Sequence, residues 1–502
     1  MFALERLVIR MKEKTVRIQD YVFSLHSDSA TVTAWNKSRA TVELPNAVEG
    51  LPVCDIAPNA FSGCDNLRDI SLPAAMEHLP LPEFKSLRSL EAIRVSPLHE
   101  DFSSRDGILY NKEQTVLVDC PPARKKPVTV PDSVRKIERA AFRSCQFLPA
   151  VVLPDSVEVI GELAFHGCRQ MRVLELPESV RFIGRNALSA CGQLRSLHFS
   201  AELTEPPVLH GCRSLQSITV TPGNPAISSR NGVLYNADAS KLIRCPQGKR
   251  GRLALPAETV MIDPYGLSGC CDLTEIRVAE GNPAFCDLDG VLMTAGREKL
   301  VCCPAGYAGE LMLPAETVHI SADAFPVQIL PIVMSDADGV KRNLWIEGTS
   351  LTAIGVSPEN PVFTSENGVL YNKDKTVLMR CPGGFSGALC VPEGVTKIAD
   401  AAFRGCSELT ALTLPQTLGE IGFSAFEGCF QITELTVPAG VGLIAQDALV
   451  GCVHLEMLTV EGCDTEIAPL AADCCDRLTI RAPKNSPAAR YAKEEGFSFI
   501  AL

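Results

Sequence analysis

The sequence predicts a β-rich α/β solenoid of about 13 stacked coils, four of which carry a β-hairpin insertion. Three observations point there. A short phrase recurs along the chain, the spacings between its copies fall into two classes, and an alternating apolar run follows each copy at a fixed offset.

The phrase is Ala-Phe-x-Gly-Cys, found at residues 60–64, 164–168, 402–406 and 425–429, and with serine in the glycine place at 141–145. With its Phe as anchor, weaker copies fall on the same ruler at Phe84, Leu188, Leu209, Leu267, Phe325, Trp345, Leu449 and Ala472, making 13 anchors. Successive anchors lie 20–23 or 58 residues apart. The short spacing matches one coil of a leucine-rich-repeat superhelix. The long one carries 35 further residues, 58 less 23.

The strand of each coil follows from positions +6, +9 and +11. They read Leu67/Ile70/Leu72, Met171/Leu174/Leu176, Leu194/Leu197/Phe199, Leu215/Ile218/Val220, Leu409/Leu412/Leu414 and Leu455/Leu458/Val460. Alternation at period two sends +9 and +11 to one face. Proline then ends the strand by removing a donor, as at Pro73, Pro154, Pro177, Pro415 and Pro438. A coil this short cannot bury its apolar side alone, so neighbours must share a core.

The long units begin at His99, Asn224, Asn282 and Asn360, and their insertions fall near 96–121, 222–246, 280–304 and 358–382. Each holds Asp-Gly or Asn-Gly between short apolar runs: Asp106-Gly107, Asn231-Gly232, Asp289-Gly290 and Asn367-Gly368. Both central residues of a type I′ turn need positive φ, so these pairs predict four β-hairpins. Residues 15–44 alternate like strands without the phrase, and residues 1–50 are expected to cap the solenoid of residues 51–480. At the other end, 481–502, Ser486 as N-cap, Pro487 at N1 and Gly496 beyond the last turn predict a short capping helix.

The repeat resembles the BspA-type, or treponemal-type, leucine-rich repeat, whose unit runs approximately L-x-x-I-x-L-P-x-S-V-x-x-I-G-x-x-A-F-x-G-C; residues 153–168 follow it nearly position by position. The likeness covers about residues 50–480, and the hairpin insertions and the 486–496 tail also resemble features of that family. It implies a right-handed solenoid that acts in adhesion and protein binding, often at a bacterial or protozoan surface.

Composition narrows the function. Hydrophobic residues make up 46% and charged residues 21%, enough to fold most of the chain. A net charge of -12, from 47 Lys+Arg and 59 Asp+Glu, argues against a surface that tracks phosphates, so no nucleic acid is expected. No run of 18 apolar residues predicts a membrane span. The opening residues, interrupted by Glu5, Arg6 and Arg10, do not read as a secretory leader. As encoded the chain is therefore expected in the cytoplasm, with the cell surface or secretion as the family's implication.

The 21 cysteines invite a chemical reading, but ten sit at anchor +3 (Cys64, Cys145, Cys168, Cys191, Cys212, Cys270, Cys406, Cys429, Cys452, Cys475) and four in a Cys-Pro of the insertions (Cys120, Cys245, Cys303, Cys381). Periodicity explains these as small core residues, and no C-x-x-C suggests zinc or redox chemistry. The eight histidines are scattered and read as surface residues. Residues 384–387 lack the spacing of a nucleophile elbow, and no P-loop is present. Asn36-Lys37-Ser38 is formally a glycosylation sequon. No enzyme, cofactor or metal is expected.

Binding is the expected function, with an intracellular structural solenoid and an unrecognised enzyme as alternatives. The candidate face is the outward side of the strands at +7, +8 and +10: Arg172, Glu175, Arg195, His198, Glu275 and Arg277 in the first half, and the row Thr413, Thr436, Thr459 in the second. A solvated face chosen for β-propensity would look similar. The expected partner is a protein or glycan, bound by a monomer.

Overall fold

The computed structural model describes residues 14–35, 39–326, 328–336, 339–347 and 349–502, with the strands Gln328–Asp336 and Gly339–Glu347 described by backbone alone. The Asn36 sequon and the opening residues lie outside this set. The chain forms two compact units, residues 1–238 and 239–502. Each is a β-rich solenoid of stacked coils.

The strands at +6 to +11 form what we call the first ladder. In unit 1, Ala150–Val152 pairs in parallel with Val173–Glu175, with Val151 opposite Leu174. In unit 2, Glu434–Val437, Met457–Val460 and Thr479–Ala482 pair in the same sense, with Leu435 opposite Leu458. The register offset is the 23-residue repeat itself from Val151 to Leu174 and from Leu435 to Leu458, so the anchor spacing sets which side chains stack, and it shortens to 22 at the last rung, where Leu458 stands opposite Ile480. Leu174, Leu197, Leu435 and Leu458 are all no more than 3% exposed. Burying each is worth about 1.5–3 kcal/mol.

After the strand the chain turns at Pro-x-x-Val, whose valine N–H donates to the proline carbonyl: Val157 to Pro154 at 3.1 Å, Val180 to Pro177 at 3.1 Å and Val441 to Pro438 at 3.1 Å. A two-residue strand follows and builds a second ladder: Lys136–Ile137, Val159–Ile160 and Phe182–Ile183 in unit 1, and Lys397–Ile398 through Glu466–Ile467 in unit 2.

The Ala-Phe-x-Gly-Cys phrase closes the coil as a turn. The cysteine N–H donates to the Phe carbonyl, and the Phe N–H donates to the alanine of the next coil, as Phe142 does to Ala164 at 2.7 Å. The phrase glycine is left-handed at Gly167, Gly405 and Gly428, each at φ +78. That conformation accounts for the glycine. Phe142 stacks on Phe165 at 4.9 Å and Phe403 on Phe426 at 5.2 Å. The thiols of Cys168, Cys191, Cys429 and Cys475 donate to the anchor carbonyl of the coil before, at 3.2–3.3 Å.

All four expected hairpin turns have both residues at positive φ, from Asp106 at +52 and Gly107 at +75 to Asn367 at +51 and Gly368 at +77. Beyond the hairpin a further strand pairs back on it and also joins the second ladder: Val116–Asp119 does so with Leu117 opposite Ile137, and Val377–Arg380 with Leu378 opposite Ile398. The next strands, Val128–Thr129 and Gly387–Cys390, join the first ladder. The inserted material thus supplies a coil of its own.

The count of about 13 coils is therefore corrected in both directions. Each insertion adds a rung, and Trp345 anchors none, because its strand Gly339–Glu347 pairs with Gln328–Asp336 in a further antiparallel hairpin. Leu311 stands opposite Ile354, an offset of 43 residues, so the segments after Phe325 and after Trp345 belong to one coil.

One histidine is also not the surface residue expected. His99 is 2% exposed; its Nε2 donates to Met76 O at 2.8 Å, and its Nδ1 accepts from the N–H groups of Asp101 and Phe102. Asn224, Asn282 and Asn360 do the same work with one amide. In Asn360, Nδ2 donates to Pro314 O and Thr317 O while Oδ1 accepts from Val362 N and Phe363 N, all within 2.8–2.9 Å.

The ends are strands as well as helix. In unit 1 the antiparallel strands Lys14–Ile18, Tyr21–Leu25 and Ala30–Trp35 lead into a parallel pairing with Leu51–Ile56. In unit 2 the helix Pro487–Glu495 starts at Ser486, whose Oγ accepts from Ala489 N, and stops at Gly496 with φ +79. A last strand, Ser498–Ala501, then adds to the first ladder. Among the described residues, no helix is long and apolar enough to cross a membrane.

Candidate binding face

The residues singled out from the sequence lie on or beside the strands of the first ladder: those at +8 and +10 flank the inward +9 and point out by strand alternation, while Arg172 and Arg195, at +7, precede their strands and are exposed. What differs is how each is held.

In unit 1, Arg172, Glu175, Arg195 and His198 are exposed. His198 is bound on both ring nitrogens, Nδ1 with Thr219 Oγ1 at 2.9 Å and Nε2 with Glu178 Oε1 at 3.0 Å and Thr221 Oγ1 at 2.9 Å. Thr221 also donates to Glu178, and its hydrogen bond, with that of His198, holds the Glu178 carboxyl below its usual range. Ladder pairing breaks between Val173–Glu175 and Ser196–Phe199. There a recess of about 290 Å³ opens, lined by Glu175, Ser196, His198 and Thr219 over Leu174 and Leu197. The fold therefore brings Glu175 and His198 to one spot.

In unit 2, Glu275 and Arg277 are engaged with each other. Glu275 also meets Arg252, whose hydrogen bond holds the carboxyl below its usual range, and Arg277 reaches Asp287 at 2.9 Å. Asp287 lies on the inserted hairpin, which packs so closely here that a Cβ on Gly290 would meet Glu275 Cβ at 2.9 Å. This part of the face is covered by self-paired charge.

The threonine row is different. Thr436 stands opposite Thr459 in register, Thr459 opposite Arg481, and Thr413 opposite Cys390 on the adjoining sheet. Thr413, Thr436 and Cys390 are exposed and Thr459 is half-buried. Cys390 and Arg481 were missed by the sequence reading, although stepping the 23-residue ruler back from Thr413 reaches Cys390. Among the described residues, no group of three or more His, Cys, Asp or Glu side chains could hold a metal ion.

The family model described as BspA type Leucine rich repeat region matches this chain in six copies, over residues 36–105, 124–232 and 388–488, more than half of its length. No curated protein matches it. Among solved structures, the chain is similar to a leucine rich cell surface protein from Faecalibacterium prausnitzii A2-165, with 16% identity over 97% of each chain and a TM-score of 0.27. A leucine-rich repeat protein from Eubacterium ventriosum shares 16% identity over 86% of this chain and 93% of that one, with a TM-score of 0.36. The pneumococcal vaccine antigen PcpA shares 12% over 98% and 99%, with a TM-score of 0.30.

Proposed function

This chain belongs to the BspA-type leucine-rich repeat family, and on that premise we propose that it is a non-catalytic scaffold binding a protein or glycan along the threonine row of unit 2. The observation that carries the reading is the register of Thr436 on Thr459, continued by Arg481. The short hydroxyl side chains of Thr436 and Thr459 make a flat strip with hydrogen-bonding groups, and the long side chain of Arg481 stands at its end rather than within it. An extended partner can lie on it at low entropic cost, since threonine has little rotamer freedom to lose. The recess at Glu175 and His198 offers no comparable strip, because His198 already uses both ring nitrogens.

The test is capture by the intact chain, wild type against Thr436→Arg, from cell lysate and from host extracellular proteins. Thr436 is exposed, so the change should alter stability by less than about 0.5 kcal/mol. A partner retained by the wild type and lost by Thr436→Arg supports the reading. Equal capture by both moves the site to the hairpin insertions.

A further inference from the structure

We propose that unit 2 holds a second binding site, a groove at Arg380 that takes a small monoanion: a carboxylate carried on an apolar body. The proposal is independent of the threonine row. It starts from a comparison of two equivalent positions. Asp119 and Arg380 each directly precede the Cys-Pro of an insertion, and each lies on the strand that pairs with the hairpin, Asp119 opposite Leu109 and Arg380 opposite Leu370. In unit 1 the charge at this place is matched from within the chain, by Lys85 against Asp119. In unit 2 Arg380 carries the opposite sign, and among the described residues its guanidinium makes its hydrogen bonds to backbone carbonyls and pairs with no carboxylate.

Arg380 is only 7% exposed. Its Nη1 donates to Ala401 O and its Nη2 to Arg404 O at 3.1 Å. Arg244 holds the same position in an earlier coil and donates likewise to Tyr265 O, so these carbonyl contacts are a property of the fold. They leave the charge itself unmatched, and a guanidinium has five N–H donors arranged for a bidentate acceptor. A buried unpaired charge is expensive.

What sets Arg380 apart is that it lines a groove of about 1030 Å³, at the upper limit of the size range of small-molecule sites. Ile262, Val301, Ile320, Leu370, Val377 and Met379 supply apolar wall, and the Phe325 ring lies over the guanidinium at 5.4 Å. The other charges lining the groove are largely taken. Asp263 pairs with Lys241, Lys397 with Glu420 and Arg404 with Glu427, while Asp400 accepts from Phe423 N. Lys299 and Asp323, both exposed, are of opposite sign. One unmatched cation within apolar walls, with aspartates also present, suits a monoanion with an apolar tail better than a dianionic phosphate monoester.

The experiment titrates the full chain with 11-(dansylamino)undecanoic acid, whose emission reports an apolar environment, and with its methyl ester. The acid should bind at one site, and the ester about tenfold more weakly or worse, the worth of a charge-assisted hydrogen bond. Val377→Trp fills the groove without touching Arg380 and should weaken the acid by at least about tenfold. Arg380→Gln, if its melting curve shows a folded chain, should bring acid and ester to equal affinity. No binding of the acid, equal binding of acid and ester by the wild type, or undiminished binding by Val377→Trp would each overturn the proposal.

Discussion

Lys85 and Asp119, 34 residues apart in sequence, form a buried ion pair at the first insertion, with side chains 12% and 1% exposed. The ammonium also donates at 2.8 Å to the carbonyls of Cys120 and Ala141, so one side chain from the helix Leu81–Ser86 ties three successive segments together. Burial pushes the Asp119 carboxyl up to about 6 against the pull of Lys85. For Lys85, burial acts downward, and the charge of Asp119 helps carry the ammonium above its ordinary value.

The first prediction concerns pH. Because the folded pKa of Asp119 exceeds the ordinary carboxylate value near 4, the folded chain binds that proton more tightly than the unfolded one. Its contribution to stability is greatest below about pH 4, falls as pH rises through 6, and is level above. Lys85→Met removes the opposing cation and raises the folded pKa further. At pH 8 it should cost about 3–5 kcal/mol, as for a broken buried pair, and the gap in Tm from the wild type should narrow at pH 5. A gap that does not change with pH would assign the loss to the two carbonyl hydrogen bonds.

His99 should be replaceable by the residue that does its work elsewhere. His99→Asn can form the same donor and acceptor contacts as Asn360 and should stay within about 1 kcal/mol of wild type, whereas His99→Ala should lose about 2–4 kcal/mol from three missing hydrogen bonds. Chemical denaturation of both variants checks this. Equal losses would show that ring packing, including the edge contact with Phe102 at 5.2 Å, matters more than the hydrogen bonds.

The inward register is tested at Leu174, 3% exposed opposite Val151. Leu174→Asp buries a carboxylate with no cation and should cost several kcal/mol, while Val173→Asp, at an exposed position on the same strand, should shift Tm little. Similar melting curves for the two variants would contradict the strand's facing.

Thiol titration gives an independent readout of burial. Of 21 cysteines, Cys390 and Cys463 are exposed, Cys54, Cys271, Cys286 and Cys474 half-buried, and the rest buried. Burial pushes thiols such as Cys302 and Cys452 up to about 12, which removes the reactive thiolate at neutral pH. Under reducing preparation, a disulfide reagent should label Cys390 and Cys463 fast, the half-buried four slowly, and the ladder thiols only on unfolding. Peptide mapping that finds Cys168 or Cys191, both raised by burial, labelled in the native chain would refute this.

Much of the architecture was legible in the sequence because its determinants are local and repeated. The anchor ruler predetermined that Val151 meets Leu174 and Thr436 meets Thr459, since in a stacked coil the repeat length is the strand register. Asp-Gly and Asn-Gly dictated the hairpin turns through φ alone, and Ser486, Pro487 and Gly496 bounded a helix for the same short-range reason. Trp345 misled because Leu351, Ile354 and Val356 behind it do form a ladder strand, while the chain before it leaves the coil as a hairpin; apolar spacing cannot distinguish these paths. Stacking alone decided that His99 would be buried in an asparagine's place, that Asp287 would reach Arg277, that Lys85 would meet Asp119, and that Arg380 would line a groove with its guanidinium on backbone carbonyls. These outcomes depend on which charges and carbonyls neighbouring coils bring together, and therefore on long-range electrostatics and burial that no local pattern of residues records.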